Sequence, residues 1–285
     1  MKYYIYAMGA ILCWASLPVA TGSGLSELTT EELMFYSFSS AALFLYLQDI
    51  VRTKSVRVEF PGVKISLLGV WGIFFYHYMY YIALDNAPLA EGAILATTWS
   101  FWVVVFSSLF VFGRLKLSIF FTALLGLFGA GLVIAAGKDL AFNPGYIKGY
   151  LLALLCGLIW SSFSVALSRI RVKNEPMTAF TLYAAILSAT LFIITLPHGM
   201  PSFSALLSAC YLGCVPLGLS FFLWNRAMSG GNIVIIGFLS YLTPPLAVLF
   251  VAIIEKEVIS GQVLLGMSVI LAASLIGRVF MKKPD

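Results

Sequence analysis

The sequence predicts an all-α integral membrane protein, with ten transmembrane helices arranged as two inverted five-helix repeats. Three observations carry that prediction. Hydrophobic residues make up 61% of the 285 residues and charged residues only 10%, where a soluble domain averages roughly 25% charged. Apolar stretches of about 20 residues, long enough to cross a bilayer, recur with short connections between them. Those connections alternate in charge, and basic loops stay in the cytoplasm. On the inner side stand Lys2; Arg52, Lys54, Arg57 and Lys64; Arg114 and Lys116; Arg169, Arg171 and Lys173; Arg226; and Arg278, Lys282 and Lys283, which is 14 of the 17 basic residues. Lys138, Lys148 and Lys256 fall in or beside the other set of loops. Both termini are therefore expected in the cytoplasm. The inner side nets +10 and the outer side −5. The overall +5 thus expresses topology and contact with anionic lipid headgroups, and no nucleic-acid partner is expected.

Each span follows from its residues. Span 1, 3–22, comes after Lys2 and contains Trp14 and Pro18. A cation before an apolar run also describes a signal peptide. This run continues past residue 17 and nine more follow, so an uncleaved first helix is expected. Span 2, 32–50, leads into the longest inner loop, 51–62. Span 3, 63–84, carries WGIFFYHYMYYIAL, and span 4, 88–112, carries ATTWSFW. Span 5, 117–136, is rich in glycine. Spans 6 to 10 read 146–168, 177–197, 203–228, 232–254 and 259–280.

The two sets of five repeat each other. GAILCWASLPVA at 9–20 aligns with LCGLIWSSFSVA at 155–166, matching Trp14 to Trp160 and Ser16 to Ser162. LLG at 124–126 recurs at 264–266, and Thr98 matches Thr243. The offsets are collinear, between 140 and 146. Five spans is an odd number, so the second copy enters the membrane from the opposite face. Residues 1–140 and 144–281 form the expected halves, the architecture of many secondary transporters, with a site near the midplane.

Few residues can carry chemistry there. His77 lies two turns short of the outer end of span 3, roughly 10 Å deep, where ionisable groups are costly and usually face a cavity. Tyr80 and Tyr81 share its helix face at i+3 and i+4, and Tyr76 adjoins it. His77, Tyr76 and Tyr80 are therefore expected to line a polar cavity; a neutral histidine bonded to a neighbouring helix is the alternative. Trp99 sits in mid-span rather than at an interface, and its indole N–H needs a partner. Trp14 and Trp160, each beside serines, suit either a cavity wall or a close helix contact. Asn225, next to the boundary residue Arg226, is expected to cap or line the inner mouth. Tyr241 opens YLTPP, where Pro244 and Pro245 remove backbone donors and break span 9, as a hinge or as a static kink. Glu91, in the first turn of span 4, is read as a structural acid at a helix N-terminus, and no other carboxylate is expected to be buried.

Other classes fall away. Cys13, Cys156, Cys210 and Cys214 lie in apolar runs without paired metal-ligand spacing. No nucleophile elbow, metal motif or phosphate-cradling loop is legible, so neither an enzyme, a metal site nor a cofactor is expected.

With these residues in place, the chain resembles the drug/metabolite transporter superfamily, specifically its EamA-type members, over nearly its whole length. The marks are Trp14 with Ser16, GLFGAGLVIAAG (126–137), Trp160, LWNRAMSGGN (223–232) and SYLTPP (240–245). The last two, with Trp99, are most similar to the YddG-like aromatic amino-acid exporter branch. That resemblance implies a bacterial inner-membrane exporter of amino acids or related small metabolites, acting as a monomer by alternating access. It implies a cavity lined by His77, Tyr80, Trp99, Trp160 and Tyr241. The chain departs from the pattern at Ser100, where relatives often carry proline, which puts a kink in span 4 in doubt. A multidrug or quaternary-cation exporter is the alternative within the superfamily. A membrane receptor or scaffold without transport is the alternative outside it.

Overall fold

The computed structural model describes residues 1–138, 140–170, 172, 174–195, 199–255 and 259–280. Ten helices in it are long and apolar enough to cross a membrane: Lys2–Leu25, Thr30–Thr53, Val63–Asp85, Glu91–Phe112, Leu117–Ala135, Pro144–Arg169, Met177–Ile194, Phe203–Gly230, Ile233–Phe250 and Gly261–Phe280. Among the described residues there is no strand. Every span sits within a few residues of its sequence reading.

Local chemistry sets the ends. Span 2 opens on a capping box: the Glu32 amide donates to Thr29 Oγ1 at 3.3 Å, and the Thr29 amide donates to Glu32 Oε2 at 2.8 Å. Ser202 caps span 8 by accepting from the Ala205 amide, and Asn232 caps span 9 by accepting from Val234 and Ile235. Span 4 ends on Gly113 at φ 69°, a left-handed conformation that glycine adopts without a steric cost.

The helices are interrupted in matched places. Spans 3 and 8 loosen into π-helix at Val70–Phe75 and Gly213–Leu219. Spans 4 and 9 break into tight turns at Thr97 and at Tyr241–Leu242. In span 4 the Ser100 amide reaches back only three residues, to Thr97, while Thr97 and Thr98 turn their hydroxyls onto Ala93 and Leu95. Span 4 is therefore kinked although residue 100 is serine: threonine hydroxyls, which compete for backbone carbonyls, do the work that proline does elsewhere. In span 9 the turn lies before the two prolines. The Tyr241 and Leu242 amides donate to Phe238 and Leu239, and Pro244 and Pro245 occupy the first turn of the helix that follows, where a missing N–H costs nothing.

Helix pairings come in twos. Span 1 packs on span 8 as span 6 packs on span 3; span 2 packs on span 8 as span 7 packs on span 3; span 1 packs on span 9 as span 6 packs on span 4. Spans 5 and 10 pair along one face, where a Cβ added to Gly129 would stand 2.9 Å from the Gly266 carbonyl oxygen. Among the described residues three apolar clusters result: a large core mainly around spans 1, 2, 3, 6, 7 and 8, a second core around spans 4, 5, 9 and 10, and a small contact of Ala83, Ala96 and Ala153 between spans 3, 4 and 6.

Candidate functional site

Four tryptophans from four spans meet inside the bundle. Trp14 of span 1 stands edge-on to Trp99 of span 4 at 5.6 Å and to Trp160 of span 6 at 5.5 Å. It tilts against Trp224 of span 8 at 5.1 Å. Trp99 closes the ring group against Trp224 at 5.8 Å and Trp160 at 6.5 Å. These are the separations at which aromatic quadrupoles attract, worth roughly 0.5–1.5 kcal/mol per pair beyond burial. Tyr76 of span 3 and Phe221 of span 8 flank Trp160, at 5.4 and 5.5 Å.

Small residues allow the approach. A Cβ at Gly157, one turn before Trp160, would stand 3.1 Å from the Trp99 amide nitrogen. Span 6 therefore lies directly against the break in span 4, and the two rings become neighbours.

The four indole N–H groups divide into two kinds. Trp14 Nε1 donates to the Pro216 carbonyl at 3.1 Å, and Trp224 Nε1 donates to Ser164 Oγ at 3.0 Å. Pro216 lies in the π segment of span 8, where the Ser220 amide reaches past it to Val215; its carbonyl is taken by Trp14 and by the Ser220 hydroxyl. For Trp99 and Trp160 no acceptor exists among the described residues. Two indole donors are thus tied to protein acceptors, and two meet none among the described residues.

The predicted residues of span 3 adjoin this group. His77 is only 3% exposed, and its Nδ1 lies 2.7 Å from the Ile73 carbonyl. A carbonyl only accepts, so Nδ1 carries the proton. Rings of Phe38, Tyr76 and Phe221 surround it at 5.2, 4.8 and 5.7 Å. The partner of His77 is its own helix, not a neighbouring one. Tyr76 and Tyr80 stack in parallel at 6.1 Å, and the hydroxyls of Tyr76, Tyr80 and Tyr81 meet no acceptor among the described residues.

Four predicted residues lie elsewhere. Tyr241 is fully buried in the second core, donating to the Ala123 carbonyl at 2.7 Å over Gly126, where a Cβ would stand 2.9 Å from its ring. It touches none of the four tryptophans, because the turn at 241–242 points it at span 5. Pro244 and Pro245 follow that turn. Asn225, directly after Trp224, turns away from the rings and donates from Nδ2 to Glu175 Oε1 at 2.5 Å.

Sequence reasoning missed Trp224, Phe221 and Glu175. Pro216, Ser220 and Trp224 recur at i, i+4 and i+8, a face that periodicity could have disclosed. Glu175 is a lone acid among Arg169, Arg171 and Lys173. The expectation that only Glu91 is a buried carboxylate is corrected: Glu32 is 5% exposed and the Glu175 side chain 4%. Glu91 itself, 2% exposed, accepts from the Ala141 and Phe142 amides at 2.8 and 3.1 Å and from the Tyr150 hydroxyl, tying the loop after span 5 to spans 4 and 6.

Comparison with known proteins matches residues 1–135 and 147–277 to the EamA-like transporter family. The chain is 31% identical to the aromatic amino acid exporter YddG of Ancylobacter novellus, over 96% of each chain. It is 24% identical to the protein of that name from Salmonella typhimurium, also over 96% of each. It is 26% identical to the pseudopaline exporter CntI of Pseudomonas aeruginosa over 60% of this chain and 57% of the relative. A solved crystal structure superposes with a TM-score of 0.89 at 30% identity, covering 99% of both chains.

Proposed function

The chain belongs to the EamA-like transporter family and is a multi-pass inner-membrane protein; from that premise we propose that it exports amino acids with aromatic or neutral side chains, using the tryptophan cage as their midplane site. Its halves, 1–140 and 144–281, rock about that site by alternating access. The paired helix contacts and the matched interruptions in spans 3 and 8 and in spans 4 and 9 support that reading. Both termini lie in the cytoplasm, the protein works as a single copy, and the turn ahead of Pro244 and Pro245 flexes as the halves move.

One observation supports the substrate: four tryptophan rings cluster in contact, and two of their indole N–H groups meet no acceptor among the described residues. An aromatic side chain would lie edge-to-face among the rings. Its ammonium would rest on a ring face. Its carboxylate would accept from Trp99 and Trp160. His77 and Tyr76 hold the span 3 wall, and Tyr80 continues it outward. A quaternary cation would use the same faces but offers no acceptor to the open donors, so a carboxylate-bearing cargo fits better. The relatives named as aromatic amino acid exporters support this choice. The test is efflux of labelled phenylalanine from proteoliposomes. Export that is absent, or unchanged in Trp99→Phe and Trp160→Phe, refutes the proposal.

A further inference from the structure

A second polar site lies at the basic-loop end, outside the cage. A cavity of about 820 Å³ opens between the ends of spans 2, 6 and 8 and the connection from span 6 to span 7. Among the described residues lining it, three arginines, Arg52, Arg169 and Arg226, stand against one acid, Glu175. That acid is already engaged. Its Oε1 accepts from Asn225 at 2.5 Å and its Oε2 from Arg226 Nε at 3.1 Å, and its side chain is 4% exposed.

The arginines differ in what remains free. Arg52 spends Nε and one terminal nitrogen on Asp49. Arg169 gives one terminal nitrogen to the Phe110 carbonyl at 3.0 Å. Arg226 is held through Nε alone, with its guanidinium carbon 5.2 Å from the centre of the Phe222 ring. Neither terminal nitrogen of Arg226 meets an acceptor among the described residues. Its guanidinium is thus oriented by Glu175 and Phe222, with the two-pronged end that matches a carboxylate left unused. The cavity also adjoins the cage. Trp224 immediately precedes Asn225, and Trp224 Nε1 rests on Ser164, one turn from the lining residue Leu167.

We propose that this cavity is a docking station for the cargo's carboxylate on the cytoplasmic side, with Arg226 as the primary contact, occupied before the side chain reaches the tryptophans. This rests on the reading of the cargo as an amino acid. Glu175 acts as a positioning residue: its Oε2 accepts from Arg226 Nε at 3.1 Å and so orients the guanidinium.

The experiment uses Ser229→Cys, a cavity-lining position, in inside-out vesicles of the full chain, reading maleimide labelling above that of the four native cysteines. Phenylalanine is expected to slow labelling. Phenethylamine, which has the ring and ammonium without the carboxylate, is expected to leave it unchanged. Arg226→Gln should abolish the protection, and Arg226→Lys, which keeps a cation beside Glu175, should retain only part of it. The double variant Glu175→Gln/Arg226→Gln removes both charges together and should behave like Arg226→Gln. In transport, Arg226→Gln should raise the half-saturating internal phenylalanine concentration roughly ten- to a hundredfold, the size of a lost charge-assisted pair, with the maximal rate kept. Protection that is absent, equal with phenethylamine, or unchanged in both Arg226→Gln and the double variant overturns the station. Protection by inorganic phosphate without protection by phenylalanine overturns it in favour of a phosphate site. Wild-type vesicles that move no phenylalanine refute the proposed transport separately, since labelling alone decides the docking.

Discussion

Trp14 and Trp160 occupy matched places in the two halves of the sequence, yet their indole nitrogens face different tasks. Trp14 is bonded to Pro216 and Trp160 to no protein group described. Trp14→Phe should therefore cost about 1–3 kcal/mol, the usual loss when a buried hydrogen bond is cut, read as a lower melting temperature in detergent. Trp160→Phe should melt like the parent while its export falls. Glu175 supplies a test in pH. Burial pushes its carboxyl above the usual carboxylate range, while Asn225 and Arg226, with Arg52 further off, pull it back, and Asp49 adds to the rise. A carboxyl with a raised folded-state pKa contributes stability on the acid side that is lost as pH rises through that pKa. Glu175→Gln should flatten this part of the melting profile as pH rises above the ordinary carboxylate range; coincident profiles would contradict it. The mid-span placement of Trp99 and the serines beside Trp14 and Trp160 made three of the four cage rings legible. Trp224 was hidden because it sits near a helix end, where tryptophan ordinarily marks an interface.

At the level of elements, the sequence located span 9's interruption on its two prolines, and the chain turns just before them. Pro244 and Pro245 sit in a first turn that needs no amide donor. Pro244→Ala should then change stability by less than about 1 kcal/mol, measured by thermal melting; a large loss would return the kink to the proline. The threonine-driven turn in span 4 was illegible for the reverse reason, since Thr97 and Thr98 are ordinary helix residues until their hydroxyls capture carbonyls. Glycine spacing is more telling at spans 5 and 10. Gly129→Ala would put a methyl group about 2.9 Å from the Gly266 carbonyl oxygen, against backbone that cannot move aside cheaply. A loss of roughly 1–3 kcal/mol is expected, again by melting. Gly131, which has open space around it, is the control that should tolerate alanine. The π segment of span 3 left no trace in hydropathy, which is blind to the register of backbone hydrogen bonds, whereas that of span 8 carries Pro216, whose missing amide marks it.

For the whole molecule, the bias of arginine and lysine toward one set of loops predicts that tags at both ends are labelled only when the cytoplasmic face is opened. A single end labelled from outside would overturn the orientation. The number of crossings and the transporter class were legible in the sequence. They depend on quantities summed over windows of about 20 residues or over whole loops, and such sums survive ignorance of which side chains touch. The tertiary structure alone decided that Tyr241 belongs to the second core, that Trp224 completes the cage and that Arg226 keeps an unused face beside Glu175. These depend on how each helix is rotated about its own axis against a partner fifty or more residues away, and no local window of sequence contains that angle.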